Sequence, residues 1–137
     1  AIYDVKADIY APCALGATLN PQTLDRITAR AVVGAANNQL ATPEIGRILF
    51  ERGVLYAPDY VVNGGGIINV AAEMNARQTK GAFDPAWVEA KLSRLIETFE
   101  EILDRSAAEN RPTHEIADAI AEARIAAAGE QKRKAAA

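Results

Sequence analysis

The chain has 137 residues, with 15 Lys and Arg against 18 Asp and Glu, a net charge of −3 at neutral pH and half of its residues hydrophobic. That length suits one domain with a sizeable core, and the acidic balance argues against nucleic acid, whose phosphates need clustered Lys and Arg. No apolar run is long enough for a bilayer, no basic-then-apolar leader opens the chain, and Cys13 is the single cysteine, so an internal disulfide is excluded. With one cysteine and one histidine, His114, a metal site is not expected. A cytoplasmic protein fits these limits.

Three apolar runs, residues 7–11, 31–35 and 53–62, are continuous rather than alternating, as parallel strands covered on both faces would be. Helix starts lie between them. Asn20-Pro21 puts an N-cap before a first-turn proline, and Thr42-Pro43-Glu44 repeats the device with an acid in the first turn. The first helix is expected to run to about Ala29 and the second to about Arg52, where Gly53 stops it. Strand, helix, strand, helix, strand implies an α/β fold with right-handed parallel crossovers.

After the third run come Asn63-Gly64-Gly65-Gly66. They read as a glycine turn between a strand and a helix spanning about 67–78, where a ligand can approach backbone that lacks Cβ atoms. The new helix end there would offer free N–H groups and a positive dipole end. Asp84-Pro85 caps a long helix whose apolar stripe includes Val88, Leu92, Leu95, Phe99 and Ile102. Pro112-Thr113 starts a last helix with Ile116, Ile120 and Ala123 on one face, and residues 131–137 read as a disordered tail. No G-x-G-x-x-G turn follows the first strand, as a complete dinucleotide-binding domain requires. The expected organisation is therefore the second half of a Rossmann-like parallel sheet over residues 1–80, then C-terminal helices over 81–130.

Three segments together carry a resemblance: Asp8-Ile9-Tyr10-Ala11-Pro12-Cys13-Ala14-Leu15-Gly16-Ala17, Gly34-Ala35-Ala36-Asn37-Asn38-Gln39-Leu40, and the run from Tyr56-Ala57-Pro58-Asp59 to Gly66-Ile67-Ile68-Asn69. In order and spacing they resemble the amino-acid dehydrogenases that act on glutamate, leucine, phenylalanine and valine. The resemblance is close over residues 7–75 and looser beyond. It implies oxidative deamination of an L-amino acid to its 2-oxo acid and ammonia, with reduction of NAD, NADP not being excluded.

The same resemblance implies roles for individual residues. Pro12, Cys13 and Ala14 would line the nicotinamide pocket largely through backbone, with Cys13 a small buried residue. Asn37, with its neighbour Asn38, would lie beside the nicotinamide and its ribose, where an amide can both donate and accept. Asn63, with Gly64 and Gly65, would face the substrate's α-carboxylate and reacting carbon; Gly64 stands where relatives usually carry alanine. Ile67 and Val70, three apart on one helix face, would line the substrate side-chain pocket, unless they are ordinary core. Glutamate-specific members carry a serine in place of Val70, and desolvating a second carboxylate against valine is costly. An apolar substrate of the leucine, valine or phenylalanine type follows.

The family's two catalytic lysines and its aspartate belong to a separate N-terminal domain. Lys6, Lys80 and Lys91 read instead as solvated surface, so no catalytic group is expected in this chain. A missing N-terminal half or partner chain would supply those groups, and apolar helix faces left open point to a homo-oligomer. The alternative is a non-catalytic binding or assembly module derived from the same fold.

Overall fold

The computed structural model describes residues 2–135, with nothing on the side chains of residues 134 and 135. Three short strands, β1 (Ile9–Tyr10), β2 (Ala31–Val32) and β3 (Leu55–Tyr56), form a parallel sheet in the order β1-β2-β3. Ile9 pairs with Ala31, and Ala31 in turn with Leu55. Between the strands lie α1 (Pro21–Leu24) and α2 (Pro43–Glu51); after them come α3 (Asp59–Val62), α4 (Gly65–Thr79), α5 (Pro85–Glu109) and α6 (Thr113–Ala135). The α/β class, the parallel order and the C-terminal helices are as the sequence implies.

The strands are shorter than the apolar runs that announce them. Pro12 and Pro58 follow the first and third strands within two residues, and a proline has no N–H to extend a ladder. Residues 59–62, expected to complete the third strand, instead form the helical turn α3. The glycines therefore join two helices rather than a strand and a helix. Gly64 itself has right-handed helical angles, φ −61° and ψ −15°.

The first helix is likewise short. Asn20 caps it twice, its side chain accepting from the N–H groups of Gln22 and Thr23, and Thr23 closes a capping box. Beyond Leu24 the N–H groups of Arg26 and Ile27 turn tighter, to Thr23 and Leu24 carbonyls, and the β-branched Ile27 and Thr28 are weak helix formers. Thr42 precedes α2 without a side-chain cap bond, while Gly53 ends that helix at φ +70° as expected. Residues 131–135, assigned to a tail from their composition, continue α6. Gln, Lys, Arg and Ala are all good helix formers, and no Gly or Pro stops them; residues 136 and 137 lie outside the described chain.

Two apolar clusters hold these elements. Leu19, Leu24, Val32, Ile45, Leu49 and Tyr56 form the core around the sheet. Ile102, Ile116, Ala117 and Ile120 close α5 against α6, with Val61 of α3 packed on them. The two are tied where Thr113, at the start of α6, donates its hydroxyl to the Tyr56 carbonyl of β3 at 2.5 Å. Tyr60 adds a second tie, donating to the Asp118 carboxylate at 2.7 Å, with the His114 carbonyl also in reach at 3.2 Å. Burial, then the Asp118 carboxylate, holds the Tyr60 phenol above its ordinary range, and burial pushes that of Tyr56 up to about 12.

Candidate functional site at the strand ends

Each strand delivers one loop at its C-terminal end: residues 11–20 after β1, 33–42 after β2, and 57–64, with the single turn α3, after β3. The sequence-predicted polar residues Asn37 and Asn63 come from the second and third of these loops. The structure brings them together, Asn63 Nδ2 donating to Asn37 Oδ1 at 2.5 Å. Among the described residues this leaves the Asn37 amide N–H groups and the Asn63 carbonyl without a protein partner. Asn37 is exposed and Asn63 half-buried, so one donor and one acceptor stand side by side within reach of solvent.

Gly34 allows the β1 and β2 loops to close. A Cβ there would lie 2.2 Å from the Pro12 carbonyl oxygen, and the Ala36 N–H donates to that same oxygen at 2.9 Å. Asn38 occupies the left-handed region at φ +53°, a conformation Asn tolerates better than most residues, and its carbonyl accepts the Ala17 N–H at 2.7 Å. Its backbone rather than its side chain thus has the described role. Pro12 is buried under this junction, but Cys13 is exposed, contrary to the expectation of a small buried residue: Cys13 and Ala14 run along the outside of the junction that Gly34 and Pro12 close.

Two residues that the sequence reading did not single out organise the loops. Gln39 is fully buried and donates its side-chain N–H groups to the Gly34 and Ala36 carbonyls, at 2.7 and 3.0 Å. Its backbone N–H donates to the Asp59 carboxylate at 2.7 Å, and its carbonyl accepts from Leu19 at 3.0 Å. Asp59 is itself buried. A glutamine next to two asparagines looks like turn polarity in a sequence, and its only signal was its place in the Asn37-Asn38-Gln39 run.

The glycine segment behaves differently from the expected cradle. A Cβ on Gly64 would lie 2.6 Å from Leu95 Cδ1, and one on Gly65 would lie 3.5 Å from Leu92 Cδ2. On that side the close approach to bare backbone is made by α5. Ile67 and Val70 are 70% and 48% exposed, which removes the reading of them as core. With Met74, also exposed, they form an open apolar stripe on α4 that begins four residues after Asn63. A separate groove of about 430 Å³, floored by Val61, Leu95, Ile102 and Ile120, lies between α3, α5 and α6. Lys6, Lys80 and Lys91 are all exposed, Lys91 standing over the Trp87 ring at 5.4 Å. No group of three or more metal-ligating side chains occurs among the described residues, and none of their helices is long and apolar enough to cross a membrane.

The Asn37–Asn63 pair lies at the C-terminal ends of a parallel sheet, the edge at which open α/β sheets take their ligands. The chain belongs to the Glutamate/Leucine/Phenylalanine/Valine dehydrogenase family, which it matches over residues 1–133. It is 49% identical to the valine dehydrogenase of Streptomyces coelicolor over 88% of this chain and 32% of that protein. To the leucine dehydrogenase of Geobacillus stearothermophilus it is 41% identical, over 90% of this chain and 32% of the relative. Among solved structures, the L-tryptophan dehydrogenase from Nostoc punctiforme superposes with a TM-score of 0.81 at 35% identity, over 93% of this chain and 37% of that one. The chain thus spans about a third of the length of the curated relatives it matches.

Proposed function

We propose that this chain forms the nicotinamide and side-chain walls of an amino-acid dehydrogenase that oxidatively deaminates an apolar L-amino acid to its 2-oxo acid and ammonia, reducing NAD. The observation that carries the reading is the Asn37–Asn63 pair at the strand ends. Its free amide and free carbonyl match the acceptor and donor of a carboxamide such as that of nicotinamide. Bound there, the dinucleotide would supply the hydride acceptor. The chain's own part is orientation, with Asn37 and Asn38 on the nicotinamide side and Asn63, Gly64 and Gly65 toward the substrate carboxylate. The Pro12-Cys13-Ala14 turn, with Cys13 and Ala14 exposed, would flank the ring through its backbone.

Ile67 and Val70 would then meet the substrate side chain. Their open apolar surface gains by covering a branched or aromatic group, at about 25 cal/mol per Å² removed from water, and offers nothing to a second carboxylate. The lysines and aspartate of the chemistry would come from an N-terminal half or a partner chain. Exposed Met74 and Ile96 support a homo-oligomer, and a cytoplasmic location belongs to the same reading.

The test is NADH formation by the intact protein with NAD and L-leucine, L-valine, L-phenylalanine or L-glutamate at mildly alkaline pH. Turnover of an apolar substrate is expected. A preference for glutamate would overturn the pocket assignment, and absence of both turnover and NADH binding would overturn the function.

A further inference from the structure

We propose that Gln39 is a positioning residue that holds the three strand-end loops in one register and thereby sets the Asn37–Asn63 pair. Its functional consequence rests on the proposed nicotinamide site; its geometry does not. Gln39 reaches all three loops. Within its own loop it binds the carbonyls of Gly34 and Ala36, which flank the segment leading to Asn37. Through its carbonyl it takes the N–H of Leu19, from the loop after β1. Through its N–H it reaches the Asp59 carboxylate, on the short helix that ends at Asn63.

The physical case is one of exposure and alternatives. Asn37 stands in solvent, and an exposed amide pair has no strong preference for its partner over water. Something beneath must hold the two backbones at bonding distance. Gln39 is 0% exposed and Asp59 6%, so breaking their bonds strands buried donors and acceptors, which is far costlier than exchanging a surface bond for water. An apolar residue of similar size would fill the same space and keep the backbone bonds to Leu19 and Asp59, but could not bind the Gly34 and Ala36 carbonyls that shape the loop carrying Asn37. Glutamate would replace two donors by an acceptor-only group, facing the Gly34 and Ala36 carbonyls.

The experiment uses selectively ¹⁵N-asparagine-labelled protein and follows the side-chain amide signals of Asn37 and Asn63 in four variants: Gln39→Leu, Gln39→Glu, Asp59→Ala and Asp59→Asn. In folded Gln39→Leu and Gln39→Glu the Asn63 amide should move to its solvated position and lose its cross-peak to Asn37. Asp59→Ala should do the same, while Asp59→Asn, which keeps an acceptor for the Gln39 N–H, should keep the cross-peak. NADH affinity should fall about tenfold in the three disruptive variants, the worth of one lost hydrogen bond, and by less in Asp59→Asn. An unchanged Asn63 signal in folded Gln39→Leu, or indistinguishable Asp59→Ala and Asp59→Asn spectra, overturns the proposal. Should Gln39→Leu fail to fold, the Asp59 pair decides. If wild-type protein binds no NADH, the nicotinamide reading fails while the amide signals still decide the role of Gln39.

Discussion

Replacing Gly34 by alanine tests the geometry of the strand-end junction directly. The added Cβ would sit 2.2 Å from the Pro12 carbonyl oxygen and 2.6 Å from both its nitrogen and Cδ. These neighbours are backbone and a rigid ring, so no rotamer change relieves the contact. The two loops must separate, at the 1–3 kcal/mol or so that overpacking usually costs. Separation also stretches the Ala36-to-Pro12 bond of 2.9 Å, worth about 1 kcal/mol. A loss of about 2–4 kcal/mol is expected, a large share of the roughly 5–15 kcal/mol that holds an ordinary domain. Gly66→Ala is the internal control, because its Cβ would meet nothing within 4 Å and alanine suits the first turn of α4 at least as well as glycine. Urea unfolding followed by circular dichroism at constant slope reads both. A Gly34→Ala midpoint equal to wild type would refute the reasoning, because the close approach would then not exist.

Other expectations follow from the packing. Ile102→Ala should cost about 2–5 kcal/mol by opening a cavity in the α5–α6 core, since Ile102 is 1% exposed; an equilibrium unfolding curve measures it. Thr113→Val should cost about 1–3 kcal/mol by leaving the buried Tyr56 carbonyl without its donor, and thermal unfolding should show the loss. Burial, only partly opposed by Glu115 and Asp118, lowers the His114 pKa below 6.5, the Arg47 charge adding slightly. The unfolded chain therefore binds the proton first, so the stabilisation is present above pH 6.5 and is lost as pH falls through the folded pKa. Wild-type thermal midpoints should drop on acidification below pH 6.5 more than those of His114→Gln; parallel pH profiles would contradict this.

What was legible in the sequence is local chemistry. Asn20-Pro21 and Asp84-Pro85 mark true helix starts because a cap and a first-turn proline act within a few residues, and Pro112 stands just before Thr113, where α6 begins. The parallel order follows from the alternation of elements. Strand extent was less legible: the run 53–62 is apolar but for Asp59, and Pro58 divides it into β3 and α3. Asn37 and Asn63 were visible, yet what joins them was not. The bond between Gln39 and Asp59 spans 20 residues, and neither residue has a local pattern that points to the other. The glycines show the converse, for their spacing suggests an open cradle and only the packing of Leu92 and Leu95 reveals α5 against them.

The tie between Thr113 and Tyr56, 57 residues apart in the chain, bears on the order of folding. Helices α5 and α6 meet across a short turn, so their pairing closes a small loop at little entropic cost. Each parallel strand pair must close a longer loop that includes a helix, and gains only two residues of ladder in return. Such non-local pairings form late. The α5–α6 hairpin is then the earlier unit, carrying at its tip the hydroxyl that receives the finished third strand. Pulse-labelled hydrogen exchange would see Ile116 and Ile120 protected before Val33 and Ala57, whose N–H groups join the strands, so that the polar cluster at the strand ends is the last part of the molecule to take shape.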